Sequence, residues 1–175
     1  MGELLRGVLE KNCLKSRPAW YASEKTYGPL TVGAQPTLTG AVRIRKQTHF
    51  LLMGFNYQIV NFDPAGNIFQ PVFLGAQVGF SLPGPNTVQL SQLDTSDQFY
   101  QCSPFGTSTI AQNVVSNTNQ PITFDEYRYF EPNHRLGYTF TDASSTFGGT
   151  RVSTLTMVFF GIEYLMKGDA NGQAS

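Results

Sequence analysis

Residues 152–165 read VSTLTMVFFGIEYL and carry the strongest strand pattern in the chain. Side chains of a β-strand alternate between two faces, and here apolar residues occupy both. One face carries Leu155, Met157 and Phe159, and the other carries Val158, Phe160 and Ile162. A strand that is apolar on both faces is covered on both. We expect an opposing sheet to cover one face and an arm or another subunit to cover the other.

Two alternating runs earlier in the chain predict a β-hairpin. Residues 50–60 and 71–82 both alternate apolar with polar or glycine positions, and residues 62–66 between them have the composition of a turn. Residues 94–120 are predicted to form a long polar loop. Shorter strands are predicted at 88–93, from 122 to 124, and over 135–141.

The number of strands predicts the fold class. Seven or eight strands with no reliable internal helix indicate an all-β protein, and the composition agrees, with 13% aromatic and 14% charged residues. We predict a two-sheet antiparallel β-sandwich. Its connections are expected to be jelly-roll-like, because long central crossings favour that arrangement over a simple meander.

The first 40 residues are predicted to form a possible short helix followed by an extended arm. Leucine and valine recur at helical spacing within the first twelve positions, whereas residues 16–39 are punctuated by proline and glycine. The predicted divisions are 1–40 for helix and arm, 41–166 for the β-sandwich domain, and 167–175 for a polar C-terminal tail. The residues expected to anchor the arm are Trp20, Tyr21, Tyr27 and Leu30.

Charge divides unevenly along the chain. Residues 1–46 carry eight Lys or Arg against three Asp or Glu, a balance of +5, and residues 47–175 carry four against nine, a balance of −5. Opposite charges on two parts of one chain can complement each other between copies. Arg43, Arg45 and Lys46 are the predicted charge partners of the acidic body, and the protein itself is the predicted partner.

Residues able to support catalysis are few. His49 and His134 lie far apart and outside any metal-binding motif, so no catalytic, metal or cofactor site is predicted. Asp125 and Glu131 leave an enzymatic alternative open, because a glycosidase needs two carboxylates roughly 5–10 Å apart. The other interpretation is a solvated acidic loop whose acids pair with Arg128.

Three aromatic residues in the acidic region define a possible ligand loop: Tyr127, Tyr129 and Phe130. Exposed, such residues would form a platform on which a sugar ring stacks. The alternative is that they are core or interface residues, positions where aromatic side chains are enriched.

Two further classes of partner are not favoured. The basic residues of the arm are dispersed, which predicts only loose, salt-sensitive contact with nucleic acid. The chain has no apolar run approaching the roughly 18 residues that cross a bilayer, and the first residues lack the apolar core of a secretion signal. We therefore expect no membrane contact and synthesis in a host cytoplasm.

Several features together resemble the small jelly-roll structural proteins of tailed bacteriophage virions, namely head decoration, vertex and neck proteins. These features are the N-terminal helix and Pro-rich arm, the hairpin of 50–60 and 71–82, the strand 135–141 after an acidic loop, and the closing run 155–164. The resemblance spans residues 41–165 as a pattern of strands. It implies a sandwich that sits on an icosahedral or ring-shaped surface while the arm ties neighbouring subunits together.

The expected function is that of a non-enzymatic virion structural protein. We expect it to oligomerise through its N-terminal arm, to contact a major capsid or neck protein, and to reside in the virion. Two alternatives remain open: a self-assembling capsid protein of a small virus, and a receptor- or carbohydrate-binding module.

Overall fold

The structure is a computed structural model that describes residues 2–31, 36–62, 65–66, 86–105, 114–116, 121–142 and 151–166. The elements in these ranges are α1 (Gly2–Asn12), β1 (Cys13–Leu30), β2 (Thr37–Arg43), β3 (His49–Phe62), β4 (Asn86–Gln92), β5 (Asp97–Phe105), β6 (Val114–Ser116), β7 (Ile122–Phe130), β8 (Arg135–Thr141) and β9 (Arg151–Met166). No helix in the described ranges is long and apolar enough to cross a membrane.

The strands pair in a nested order, in which early strands join late ones. β1 pairs with β9, β2 with β8, β3 with β7, and β4 with β5, all antiparallel. A chain paired in this way is one long hairpin, and rolling that hairpin up gives the two sheets of a jelly roll. The predicted two-sheet antiparallel β-sandwich is confirmed.

The rolled hairpin places its strands in two sheets. The first sheet has the order β1-β9-β3, and both β7 and the short β6 pair with the far edge of β3. The second sheet has the order β2-β8-β4-β5. In the first sheet β1 and β7 therefore lie at opposite edges, with β9 and β3 between them.

The core lies between the two sheets and is rich in aromatic residues. In β9, the odd-numbered residues from Arg151 to Glu163 are buried, whereas the even-numbered ones up to Ile162 are half-buried. The alternation over residues 152–165 thus places one set of side chains in the core and the other set on the outer face of the first sheet. Part of that outer face is covered by α1, whose Leu9 is buried against Leu51 and Tyr164.

The structure corrects the predicted loop at 94–120. Residues Asp97–Phe105 form β5, which pairs with β4, and Val114–Ser116 pairs with β3. Among the described strands β5 lies at the edge of the second sheet, where Asp97, Gln98 and Gln101 are exposed and Phe99 and Tyr100 pack on the core. The predicted strand at 71–82 lies outside the described residues.

The structure also corrects the boundary between arm and sandwich. β1 pairs with β9 from Cys13 to Leu30, and a boundary at residue 41 falls inside β2. β9 needs a backbone partner on this edge, because strand N–H and C=O groups are paired when buried. The alternation that marks β1 was missed because its inward positions include Ser23 and Lys25 beside aromatic ones.

Three short turns lie together at one end of the sandwich, here named the turn end. Residues 44–48 join β2 to β3, residues 93–96 join β4 to β5, and residues 131–134 join β7 to β8. β6 and β7 both run antiparallel to β3 and together make one pass along the sheet, so these three turns are alternate connections and lie at the same end. Ser96 and Asn133 have positive φ angles of 56° and 72°, and Asn tolerates this region better than most residues.

The close contact of β3 with β9 yields a testable prediction. A Cβ atom at Gly161 would lie 2.0 Å from the carbonyl oxygen of Leu51, whereas one at Gly7 in α1 would meet nothing within 4 Å. Because the obstacle at Gly161 is backbone, Gly161→Ala should lower the free energy of unfolding by about 1–3 kcal/mol. The control Gly7→Ala should raise it, by up to about 1 kcal/mol. Chemical denaturation measures both, and equal effects would contradict the register of β3 and β9.

Candidate assembly surface

A buried carboxylate fixes the turn end of β1. Glu163 lies on the inward face of β9, and its side chain is only 1% exposed. The Nε of Arg17 donates to Oε2 of Glu163 at 3.0 Å, and the Nη2 of Arg17 lies 2.9 Å from the same oxygen. The Nη1 of Arg45 donates to that oxygen at 2.8 Å. The Tyr21 hydroxyl donates to Oε1 at 2.5 Å, and Thr48 donates to it at 3.3 Å. The carboxylate thus joins β1, β9 and the β2–β3 turn.

The surroundings of Glu163 favour its charged form. Burial raises the pKa of the carboxyl, but the hydrogen bonds from Tyr21 and Arg17 and the positive charges of Arg45 and Arg17 outweigh burial, so the pKa is lowered. Burial and the bond to Glu163 together raise the pKa of Tyr21. Two guanidinium groups face one carboxylate, which leaves one positive charge uncompensated at this place.

A second buried ion pair fixes the opposite end of β1. Arg151 and Asp142 lie 3.1 Å apart, and both are buried. The Tyr27 hydroxyl donates to Asp142 Oδ2 at 2.6 Å, and Arg151 donates to Ser153 Oγ at 2.9 Å. Burial, followed by the charge of Asp142, strongly raises the pKa of Tyr27. This pair joins the end of β8 in the second sheet to β1 and β9 in the first.

The four predicted arm anchors have different surroundings. Tyr21 and Tyr27 bond to carboxylates of their own chain and so hold β1 in its own sandwich. Leu30 is half-buried and lies opposite Arg151 at the end of β1. Trp20 is 69% exposed, on the outer face of the first sheet, where it lies opposite Phe160. Of the four, Trp20 is therefore the residue most open to a partner.

The three predicted charge partners all lie in or beside the β2–β3 turn. Arg45 bonds to Glu163 of its own chain and lies over the ring of Tyr21, with 5.7 Å from its Cζ to the ring centroid. Arg43 is exposed and reaches Asn133 Oδ1 at 3.5 Å, and Lys46 is exposed. Of the three predicted charge partners, Arg45 thus meets an opposite charge within its own chain, at Glu163.

The three residues of the predicted ligand loop do not share one exposed surface. Phe130 is fully buried in the core between the sheets. Tyr127 and Tyr129 pack against the cluster that α1 covers, and the Tyr129 hydroxyl is hydrogen-bonded to His49. The sequence could not distinguish these aromatic residues from exposed ones, because alternation predicts which residues share a face but not what covers that face.

The carboxylates of the enzymatic alternative are not brought together. Asp125 lies on β7 between the residues that pair with Leu52 and Gly54 of β3. Glu131 lies one residue past the partner of Phe50. Four strand residues separate those levels, which is roughly 13 Å and wider than the spacing used by glycosidases. In the part of the chain that the structure describes, no three His, Cys, Asp or Glu residues form a metal-binding group.

The exposed apolar surface is concentrated at the N-terminal end of the chain. Val8 of α1 is 51% exposed, and Leu14 and Trp20 of β1 are 53% and 69% exposed. We name these three residues the N-terminal patch. Val8 and Leu14 were not identified from sequence, since an apolar residue within a short helix or strand is expected to be buried. Leu14 and Trp20 are six residues apart on β1, which is roughly 20 Å along a strand, so the three exposed residues are spread along β1 and the end of α1.

β1 also leaves one edge unpaired among the described strands. Pro18 lies opposite Ile162 of β9, and a proline fits an edge strand where its missing N–H would face away from the ladder. Backbone groups of the even-numbered residues of β1 then face the free edge. Pro18 interrupts this row of donors, which limits unwanted pairing of one sheet with another.

Comparison of the chain with models of known protein families, with curated proteins and with solved structures finds no match. Geometry and charge therefore carry the assignment of this surface. They describe a β1 that is fixed at both ends to its own sandwich and that exposes apolar side chains next to a basic turn.

The lowered pKa of Glu163 predicts how stability depends on pH. Glu163→Gln should lower the free energy of unfolding by about 1–2 kcal/mol at neutral pH, less than for a fully buried pair because both arginines remain half hydrated. A lowered pKa contributes stability above the unfolded value of 4.5, and that stability is lost as the pH falls through the lower folded value. The difference between wild type and variant, measured by denaturation at several pH values, should shrink below pH 4.5. A constant difference would contradict the assignment.

The bond from Tyr27 to Asp142 predicts a local contribution to stability. Tyr27→Phe removes a hydrogen bond to a buried carboxylate and should cost about 1.5–3 kcal/mol. Tyr138→Phe is the matched control, because its hydroxyl bonds to the neutral Ser23 at 2.9 Å and should cost about 0.5–1.5 kcal/mol. Thermal unfolding compares them. A loss of assembly without loss of stability in Tyr27→Phe would contradict the intrachain role.

Proposed function

We propose that the chain is a non-enzymatic structural protein of a virion, which decorates or stabilises a capsid or neck by contacts between copies. The observation that carries this proposal is the position of Trp20. It lies on a strand held at both ends by buried charges, and yet its own side chain is 69% exposed. A rigid strand that presents a large aromatic residue to solvent is a surface prepared for a partner.

The nested strand order supports the virion assignment by analogy. Jelly rolls of this kind occur in viral capsids, in lectins and in cupins. A cupin needs histidines that share one metal, but His49 contacts Tyr129 and His134 contacts Gln92. A lectin needs exposed rings or polar groups around a sugar, whereas Phe130 of the predicted ligand loop is buried in the core and Tyr127 and Tyr129 are half-buried against the cluster that α1 covers. A capsid protein needs an exposed contact surface, and the exposed residues of β1 meet that requirement.

The proposed mechanism is distributed binding between many copies. β1 belongs to its own sheet, so we propose that its surface, and not its exchange into a neighbour, makes the contact. Each copy contributes a small apolar area around the N-terminal patch, and repetition around a ring or shell raises the total affinity. A surface with few charges suits such a position, because neutral amides and hydroxyls can be covered without leaving charges unpaired.

The direct test is the assembly state of the purified full chain. Size-exclusion chromatography with light scattering, followed by electron microscopy, should show rings, shells or other regular oligomers. Closed shells from this chain alone would favour a self-assembling capsid protein over a protein that decorates another lattice. A strictly monomeric protein at every concentration would overturn the proposal.

A substitution at the N-terminal patch tests the contact itself. Trp20→Ser should weaken assembly at least tenfold while leaving the thermal midpoint nearly unchanged, because an exposed side chain contributes little to the fold. The matched control is Leu93→Ser, which removes another exposed apolar residue, 39% exposed, at the β4–β5 turn. Equal loss of assembly in both variants would indicate a general solubility effect and would contradict a specific role for β1.

A further inference from the structure

Four positively charged residues cluster where β1 begins and where β2 turns into β3. We name this cluster the basic corner; it comprises Lys15, Arg17, Arg45 and Lys46, all of them exposed. Glu163 lies beneath them and compensates one of the four charges. The remaining charge faces solvent at the turn end of the sandwich.

The two arginines of the basic corner are held in place. The Nη2 of Arg17 lies 2.9 Å from Oε2 of Glu163, and the Nη1 of Arg45 lies 2.8 Å from the same oxygen. Each guanidinium has five N–H donors, and these contacts use only some of them. A further anion would therefore meet donors whose orientation is already fixed, which reduces the entropy lost on binding.

Two acidic residues project from the opposite edge of the same sheet. Leu52 of β3 pairs with Arg128 of β7, and Gly54 of β3 pairs with Thr123. A distance of two residues along β3 therefore corresponds to five residues along β7. The extra residues form a bulge that carries Asp125 and Glu126, here named the acidic bulge. Both residues are exposed.

The acids next to the acidic bulge have an arginine or a histidine as a neighbour. Arg128 lies 3.6 Å from Asp97, and His134 lies 3.6 Å from Glu131. Among the residues that the structure describes, no ion pair involves Asp125 or Glu126. The basic corner and the acidic bulge thus carry opposite charges that no neighbouring residue within the described ranges fully compensates.

The sheet order places these two clusters at opposite edges of one subunit. A row of paired residues crosses the first sheet from Arg17 through Glu163 and Phe50 to Phe130. The basic corner lies at one end of this row, and the acidic bulge lies about three residues along β3 from the other end. When copies stand side by side, the corner of one can face the bulge of the next.

We propose that neighbouring copies of this chain join head to tail, with the basic corner of one copy on the acidic bulge of the next. Such a contact uses different surfaces on the two subunits, so it extends into a ring or a row. It is ionic and not a continuation of the sheet, because a charged bulge on an edge strand blocks backbone pairing. This inference rests on the proposed assembly of the protein and specifies which surfaces meet.

Charge reversal in complementary pairs tests the contact. The variant Lys15→Glu/Lys46→Glu makes the corner acidic, and the variant Asp125→Lys/Glu126→Lys makes the bulge basic, while Arg17 and Arg45 stay unchanged to preserve the fold. Each variant alone should lose assembly, and a mixture of the two should regain it, because acidic corners then meet basic bulges. Sedimentation velocity at low salt measures the three samples, and assembly of the wild type should weaken at about 0.5 M salt.

Two matched controls change the same charges elsewhere. Lys11→Glu lies in α1 and Glu24→Lys lies on the outer face of β1, and both residues are exposed; neither should affect assembly. If the wild type assembles but the mixture does not, the head-to-tail contact is wrong and the proposed function stands. Assembly that persists in each reversed variant would likewise overturn the contact. A wild type that stays monomeric would overturn both.

Discussion

The structure depends on β9, which is hydrogen-bonded to β1 along one edge and to β3 along the other. Its odd-numbered side chains fill the core and its even-numbered ones form the outer face of the first sheet. Because β9 lies between β1 and β3, the N-terminal strand completes the backbone pairing of one edge of β9. β1 is therefore part of the sandwich, whatever its surface also contacts.

Buried charges fix the two ends of this arrangement. Glu163 joins β1 and β9 to the β2–β3 turn, and Asp142 with Arg151 joins the two sheets at the opposite end. Such groups stabilise a fold only when every partner is present, since a buried carboxylate without its cation is costly. The same arrangement explains why excess positive charge remains at the turn end, where two arginines share one acid. Glu163 thus stabilises the fold and lies beneath the proposed contact surface.

Strands whose apolar and polar residues alternate were predicted from the sequence, and strands without that alternation were missed. The strands β3, β8 and β9 were predicted near their observed positions, because apolar residues recur at every second place. β1 was interpreted as an arm, since Ser23 and Lys25 occupy inward positions among its aromatic residues. β5 was interpreted as a loop, since Phe99 and Tyr100, which pack on the core, stand in a mostly polar stretch of sequence.

The sequence by itself determined the fold class and the uneven distribution of charge, because both follow from residue types and their spacing. Only the tertiary structure decided which residues the charges meet and which aromatic rings stay exposed. Arg17 and Glu163 are separated by 146 positions and become neighbours only through the pairing of β1 with β9. Trp20 and Tyr21 are adjacent in sequence, but the period of two in a strand turns the first toward solvent and the second toward a buried carboxylate.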